Sequence, residues 1–222
     1  MSETSVASTR QPAGVILAGG QARRMGGVDK PMVALAGKPM LARVIERLAP
    51  QVGDLVINAN GDPGRFAPFG LPVVADTIED HPGPLAGLLA GMRWAAIEAP
   101  EARFLVSVAT DTPFFPHDLV ARLSEGCGRD EKTVALAASP AGTHPVFGLW
   151  PIAIADDLET FLQSGESGKI LTFADRHLRI NVPFDDIVLP DGTQVDPFFN
   201  VNTPEEAERA GTIAAILDGG AA

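Results

Sequence analysis

The 222-residue chain predicts a three-layer α/β/α fold around a mostly parallel, mixed sheet, and three observations carry that prediction. Short β-branched runs alternate with longer amphipathic ones, the rhythm of successive βαβ units. The first run, Gly14-Val15-Ile16-Leu17, is apolar without alternation, as a strand covered by helices on both faces must be. One later pair of runs is joined by a glycine turn and not by a helix, which inserts a hairpin into the parallel pattern.

In chain order, the first strand (14–17) feeds a glycine-rich loop and then a helix over 39–48. There Leu41, Val44, Ile45 and Leu48 recur at helical spacing, and Pro39 suits the first turn. A strand over 54–58, a loop rich in proline and glycine, and a strand over 71–75 follow. The helix expected over 84–97 aligns Leu85, Leu88, Leu89 and Met92 on one face. A strand over 104–108 runs into Ala109-Thr110-Asp111-Thr112-Pro113, so Asp111 sits at a carboxyl end. A helix starts near Pro116 with Leu119, Val120 and Leu123 inward. Strands over 133–138 and 145–150 form the hairpin around Gly142. Helices over 154–163 and 170–175, a strand over 178–182 and a closing helix over 204–217 complete the list. The whole is Rossmann-like, with residues 1–12 expected as a flexible leader and 13–222 as a single domain.

Hydrophobic residues at 45% and charged residues at 20% supply an ordinary globular core. The net charge of −11 argues against duplex nucleic acid as a partner, because binding the phosphate backbone needs a basic face. No apolar run approaches the ~20 residues of a membrane span, and the first dozen residues lack a secretory pattern, so a cytoplasmic protein is expected. A lone cysteine, Cys127, excludes an internal disulfide or a thiolate metal cluster. Flanked by Gly126 and Gly128, it reads as an incidental surface residue in a loop.

Open sheets bind ligands in the crevice outside the carboxyl ends of their parallel strands, where helix amino-termini offer free N–H groups. The segment from Leu17 to Lys30 lies there and concentrates Gly19, Gly20, Gly26 and Gly27 with Arg23, Arg24 and Lys30. Glycines at 19 and 20 let a base or phosphate reach the main chain. The basic side chains then suit a polyphosphate, lysine as a point charge and arginine as a planar fork. The segment matches neither the P-loop pattern nor the dinucleotide fingerprint.

The run 14–30, with Gly37-Lys38-Pro39-Met40, resembles the opening of nucleotidyltransferases built on a Rossmann-like half-fold. Among these, the chain is most similar to the molybdenum cofactor guanylyltransferases. The likeness extends through Ile57-Asn58-Ala59-Asn60, Asp76, 82–87, Asp111-Thr112-Pro113, His144-Pro145 and 199–206, nearly the whole chain. It implies that Leu17, Ala18, Gly19 and Gly20 line a guanine nucleotide, that Lys30 meets its phosphates, and that Asn58 and Asp76 hold the nucleoside. It makes Asp111 the Mg²⁺ ligand, brings Asn200 and Asn202 to the reaction centre, and gives Arg24, Gly83 and Gly87 the pocket of a pterin-bearing acceptor. His144 belongs to the pattern without a chemical step, and His81, His117 and His177 read as bystanders.

Physical reasoning permits these roles. A carboxylate such as Asp76 accepts from both N1–H and the exocyclic amine of guanine, or equally from a ribose; taken alone, it reads as a helix or turn cap beside Thr77. Mg²⁺ binds through one or two carboxylates plus substrate phosphates. Asn202 or Thr203 also reads as the cap of the last helix, with Pro204 first and Glu206 third. The implied reaction passes GMP from GTP to the phosphate of a molybdopterin-type cofactor, with pyrophosphate leaving. That phosphate is already mostly dianionic at pH 7, so no base is required. A cytidylyltransferase acting on the same cofactor and a non-catalytic GTP-binding chaperone are the rival readings, and transient contact with cofactor-delivering or cofactor-receiving proteins is expected.

Overall fold

The computed structural model describes residues 11–19, 29–78, 83–128, 130–165 and 168–219. Gly20, Arg24 and most of the expected leader lie outside the described residues. The chain opens with β1 (Ala13–Leu17), buried along its whole length. A small hairpin of β2 (Ala34–Leu35) and β3 (Lys38–Pro39) leads into α1 (Met40–Leu48), β4 (Leu55–Asn58), β5 (Val73–Val74), α2 (Pro84–Glu98) and β6 (Phe104–Ala109). Then come α3 (Leu119–Cys127), β7 (Val134–Ser139), β8 (Gly142–Pro151), α4 (Ala155–Ser164), α5 (Ile170–Ala174) and β9 (Arg179–Pro183). A second small hairpin, β10 (Ile187–Val188) and β11 (Gln194–Val195), precedes α6 (Pro204–Gly219).

Seven strands form the central sheet in the order β5-β4-β1-β6-β8-β7-β9. All neighbours are parallel except β6/β8 and β7/β8, so the hairpin expected around Gly142 reverses one strand, β8. Successive side chains point to opposite faces. Ile16, Ile57, Val106 and Val108 therefore meet α1 and α3 through Leu41, Val44, Leu119 and Leu123. Val15, Leu17, Val56 and Leu105 meet α2, α4 and α5 through Leu85, Leu88, Leu89, Leu158, Phe161 and Phe173. Both faces of the sheet are covered, which is why β1 carries no polar residue. A third cluster, including Leu35, Phe114, Val195, Val201 and Ile213, joins the small hairpins to α6. No helix of the described residues is long and apolar enough to cross a membrane.

The structure moves several expected boundaries. Pro39 closes β3 opposite Ala34 and α1 starts one residue later, with the Met40 N–H donating to the Val33 carbonyl. The strand expected over 71–75 shrinks to an edge pair, Val73 and Val74. α3 begins at Leu119 because residues 116–118 form a turn in which the Leu119 N–H donates to the Pro116 carbonyl. The reading of Cys127 needs correction. It lies in the last turn of α3 and is buried, 7% exposed, because its i−4 and i−7 neighbours Leu123 and Val120 face the same core. Gly126 is what the tight packing here requires, since a Cβ on it would fall 2.7 Å from Val182 Cγ2.

One irregularity shapes the site. Leu136 on β7 pairs with Gly148, yet the next residue, Ala137, pairs with His144. Pro145, Val146 and Phe147 thus bulge out of the β7 ladder, where proline's missing N–H costs nothing. The Ser107 hydroxyl captures the freed Val146 carbonyl at 2.6 Å.

Candidate active site

Because β8 runs against its neighbours, its amino half lies beside the carboxyl ends of β1, β4 and β6. A cleft of about 520 Å³ opens on that edge. Leu17, Ala18 and Gly19 line it with Asn58, Gly83 and Pro84 at one side, Lys30, Asp111 and Asn200 in the middle, and residues 143–147 at the other.

At the centre three residues remote in sequence converge. The Lys30 ammonium donates to Asp111 Oδ2 at 2.7 Å and to Asn202 Oδ1 at 2.7 Å. The backbone enforces this meeting: Asp111 follows β6 directly, and its carbonyl accepts from the Val201 N–H at 2.8 Å, which draws the Asn200–Asn202 segment alongside. Thr112, fully buried, donates its hydroxyl to Asn200 Oδ1 at 2.5 Å. Asn202 is in turn fixed by the start of α6. The Glu206 carboxylate accepts from the Asn202 and Thr203 N–H groups while the Thr203 hydroxyl accepts from the Glu206 N–H, a reciprocal capping box. Capping and proximity to the centre thus coexist in one segment, with Thr203 as the cap.

On the glycine-rich side, Asn58 is 2% exposed and donates to Asp76 Oδ1 at 2.9 Å and to the Val74 carbonyl at 3.3 Å. Its Oδ1 occupies the space that a side chain at 87 would fill, for a Cβ on Gly87 would lie 2.1 Å from it. Gly87 therefore admits Asn58, a structural reason beyond the pocket-shaping role implied by resemblance. Asp76 stands behind the cleft wall. Its Oδ2 accepts from Asn60 Nδ2 at 2.7 Å, and its own N–H donates to Asn60 Oδ1 at 2.9 Å. The cap expected of Asp76 beside Thr77 is replaced by this pair of asparagine amides. Lys30 is approached from the other direction by a strut: Arg65 Nη1 donates to Asp29 Oδ2 at 2.9 Å.

On the β8 side, His144 lies 2.7 Å through Nε2 from Ser139 Oγ and stacks on Phe198 with ring centroids 4.4 Å apart. Burial pushes its imidazole below the ordinary value of 6.5 against the opposing pull of Asp196. Ser139, Asp196, Thr112 and Asn60 were not singled out by sequence reasoning. Thr112 and Asn60 lay inside quoted motifs, whereas only the fold brings Ser139 and Asp196 to His144.

Among the described residues no three His, Cys, Asp or Glu side chains group as a metal site. The donor set at the centre is one carboxylate and an amide oxygen, both 2.7 Å from a single cationic nitrogen. Oxygen donors around a held cation fit a hard divalent ion that keeps its remaining positions for water and phosphate.

Comparison with known proteins gives concordant results. The family described as the MobA-like NTP transferase domain matches residues 14–179. A molybdenum cofactor guanylyltransferase of Bradyrhizobium sp. (strain ORS 278) is 50% identical over 215 residues, 97% of this chain and 98% of the relative. The crystal structure of molybdopterin-guanine dinucleotide biosynthesis protein A from Archaeoglobus fulgidus superposes with a TM-score of 0.68 at 22% identity, covering 91% of this chain and 98% of that one. A Mycobacterium tuberculosis protein solved in complex with manganese superposes with a TM-score of 0.62 at 17% identity, covering 91% and 98%.

Proposed function

The chain belongs to the family of MobA-like NTP transferases, and from that premise we infer that it transfers GMP from GTP to the phosphate of a molybdenum–molybdopterin cofactor, releasing pyrophosphate and forming the guanine dinucleotide. It is a nucleotidyltransferase, and 50% identity over nearly the full length to a molybdenum cofactor guanylyltransferase supports the choice of base and acceptor. The observation that carries the chemistry is the convergence of Asn202 on Lys30 and, through it, Asp111, the last two lining the cleft beside Leu17, Ala18 and Gly19.

In this reading the nucleotide lies along Leu17 to Gly20 with its base toward Asn58 and Asp76, and Lys30 leaves Asp111 to neutralise phosphate oxygens. Asp111 holds the divalent metal, for which we propose Mg²⁺, with Asn200 and Asn202 near the same centre. Bound there, the metal supplies Lewis-acid stabilisation of charge on the phosphates. The protein's own work is in-line positioning of two polyanions and local neutralisation in an acidic molecule. Arg24 belongs to the acceptor pocket in this proposal, whereas Gly83 lines the nucleotide side with Asn58 and Gly87 makes room for the Asn58 side chain. The acceptor phosphate attacks the α-phosphorus, and the bond to the β-phosphate oxygen breaks.

Pyrophosphate release by the purified protein with Mg²⁺ and molybdopterin-type cofactor tests the reading, with GTP, CTP and ATP compared in parallel. Release that needs the cofactor and prefers GTP is expected. A CTP preference would shift the base assignment, and GTP binding without release would favour a chaperone.

A further inference from the structure

The proposed function leaves the β8 wall of the cleft without a task. The nucleotide takes the side of Leu17, Ala18, Gly19 and Asn58, and Asp111 marks the reacting phosphates. With the nucleotide on the glycine-rich side, the cleft surface left for the acceptor is the β8 wall, where the bulge at Pro145 turns His144 into the cleft.

The hydrogen bonds around His144 decide what it offers. Ser139 Oγ is approached by three groups: His144 Nε2 at 2.7 Å, Asp196 Oδ2 at 3.1 Å and the Ala141 N–H at 3.2 Å. A hydroxyl has one proton to give, and a carboxylate only accepts. The Ser139 proton therefore goes to Asp196, and Nε2 must be the protonated nitrogen, donating to Ser139. That leaves Nδ1 as a bare lone pair. The Phe198 ring, inclined 25° to the imidazole, fixes its plane, and Asp196 also holds the turn bearing Phe198 by accepting from the Phe198 N–H at 2.8 Å.

We propose that His144 is a specificity residue for the acceptor: its Nδ1 accepts a hydrogen bond from a ring N–H or amino group of the pterin-type system, and Ser139 and Asp196 are positioning residues that set the tautomer. The inference rests on the acceptor reading given above. A bare nitrogen lone pair repels phosphate oxygens and welcomes an N–H donor, so this contact selects the heterocycle and not the charge. The depressed pKa of the half-buried ring keeps the lone pair available at neutral pH. Asp196, 3.8 Å from Nε2, is the charged group beside it.

Steady-state pyrophosphate release separates the possibilities. His144→Ala is expected to raise the KM for the molybdopterin-type cofactor about tenfold, the worth of one good hydrogen bond, with the KM for GTP unchanged and a lower melting temperature from the lost stack on Phe198. His144→Asn, whose Oδ1 can take the place of Nδ1, should recover most of the loss. Ser139→Ala, which frees the tautomer but keeps the ring, should raise the same KM by a smaller factor. An unchanged cofactor KM in His144→Ala, a rise confined to GTP, or equal defects in the Ala and Asn variants would overturn the inference while leaving the proposed function intact. Absence of cofactor-dependent release by the wild-type protein would instead remove the proposed function.

Discussion

Lys30 and Asp111 are each partly exposed, at 20% and 27%, so their bond contributes little to the fold and is free to be exchanged for ligand. Lys30→Ala and Asp111→Asn should therefore leave thermal melting nearly unchanged while lowering kcat about 10²–10³-fold, the usual loss when one group aimed at developing charge is removed. Wild-type turnover in either folded variant would sink both assignments. The same geometry sets an order of events. In the free protein the Lys30 ammonium sits on the two oxygens nearest the proposed metal position, so removing it should tighten metal binding in the absence of nucleotide. Titration of Lys30→Met with Mn²⁺, read by electron paramagnetic resonance, is expected to show a several-fold lower Kd than wild type; an equal Kd would mean that the ammonium and the metal do not compete. Cys127 illustrates the opposite case, a reactive group made inert. Burial pushes its thiol up to about 11, above an unfolded value near 9.0, so the neutral form is favoured in the folded state. Alkylation at pH 8 should be slow until denaturant is added, and the stability contribution is fully present below pH 9 and fades as pH rises toward 11.

At the scale of elements, what the sequence made legible followed periodicity. Strands and helices long enough to show a repeat, such as β1, β6, α2 and α6, fall within a residue or two of their expected positions. The two-residue strands of both small hairpins show no repeat, and β5 is cut short at the sheet edge because nothing beyond it completes the ladder. The Leu17–Lys30 loop, Asn58 and Asp111 were readable because they follow strands. Ser139 and Asp196 were not, since a serine closing a strand and an aspartate in a loop are ordinary and their meeting depends on the reversal of β8. The α6 cap joins both kinds of information. Thr203-Pro204-Glu205-Glu206 announces a capping box, and the fold hangs Asn202 from it. Glu206→Ala removes the acceptor of two N–H groups and should cost about 1 kcal/mol of stability. It should also lower kcat/KM, because Asn202 loses its anchor 2.7 Å from Lys30. A melting shift with unaltered kinetics would show that the cap and the centre are independent.

At the scale of the whole molecule, the order β4-β1-β6-β8 would, in the proposed reading, lay the two substrates along one edge of a single sheet with Asp111 between them. Asn58 and Asp76 stand at the β4 side and His144 at the β8 side, and among the described residues the hydrogen bonds of the two sets share no partner. Groups without shared partners contribute nearly independently, whereas groups in contact couple. Asp76→Ala should raise the KM for GTP alone, because it strips the acceptor from the Asn58 and Asn60 amides. Combined with His144→Ala, its effect on the overall specificity for both substrates should equal the product of the single effects within about twofold. Lys30→Ala combined with Asn202→Ala should fall well short of its product, since those side chains touch at 2.7 Å and the first substitution already removes what the second would disturb. Strong coupling across Asp111 between the Asp76 and His144 variants would mean that the two halves of the cleft close together on their substrates, and the fixed sheet edge would then be an insufficient account of how the enzyme aligns them.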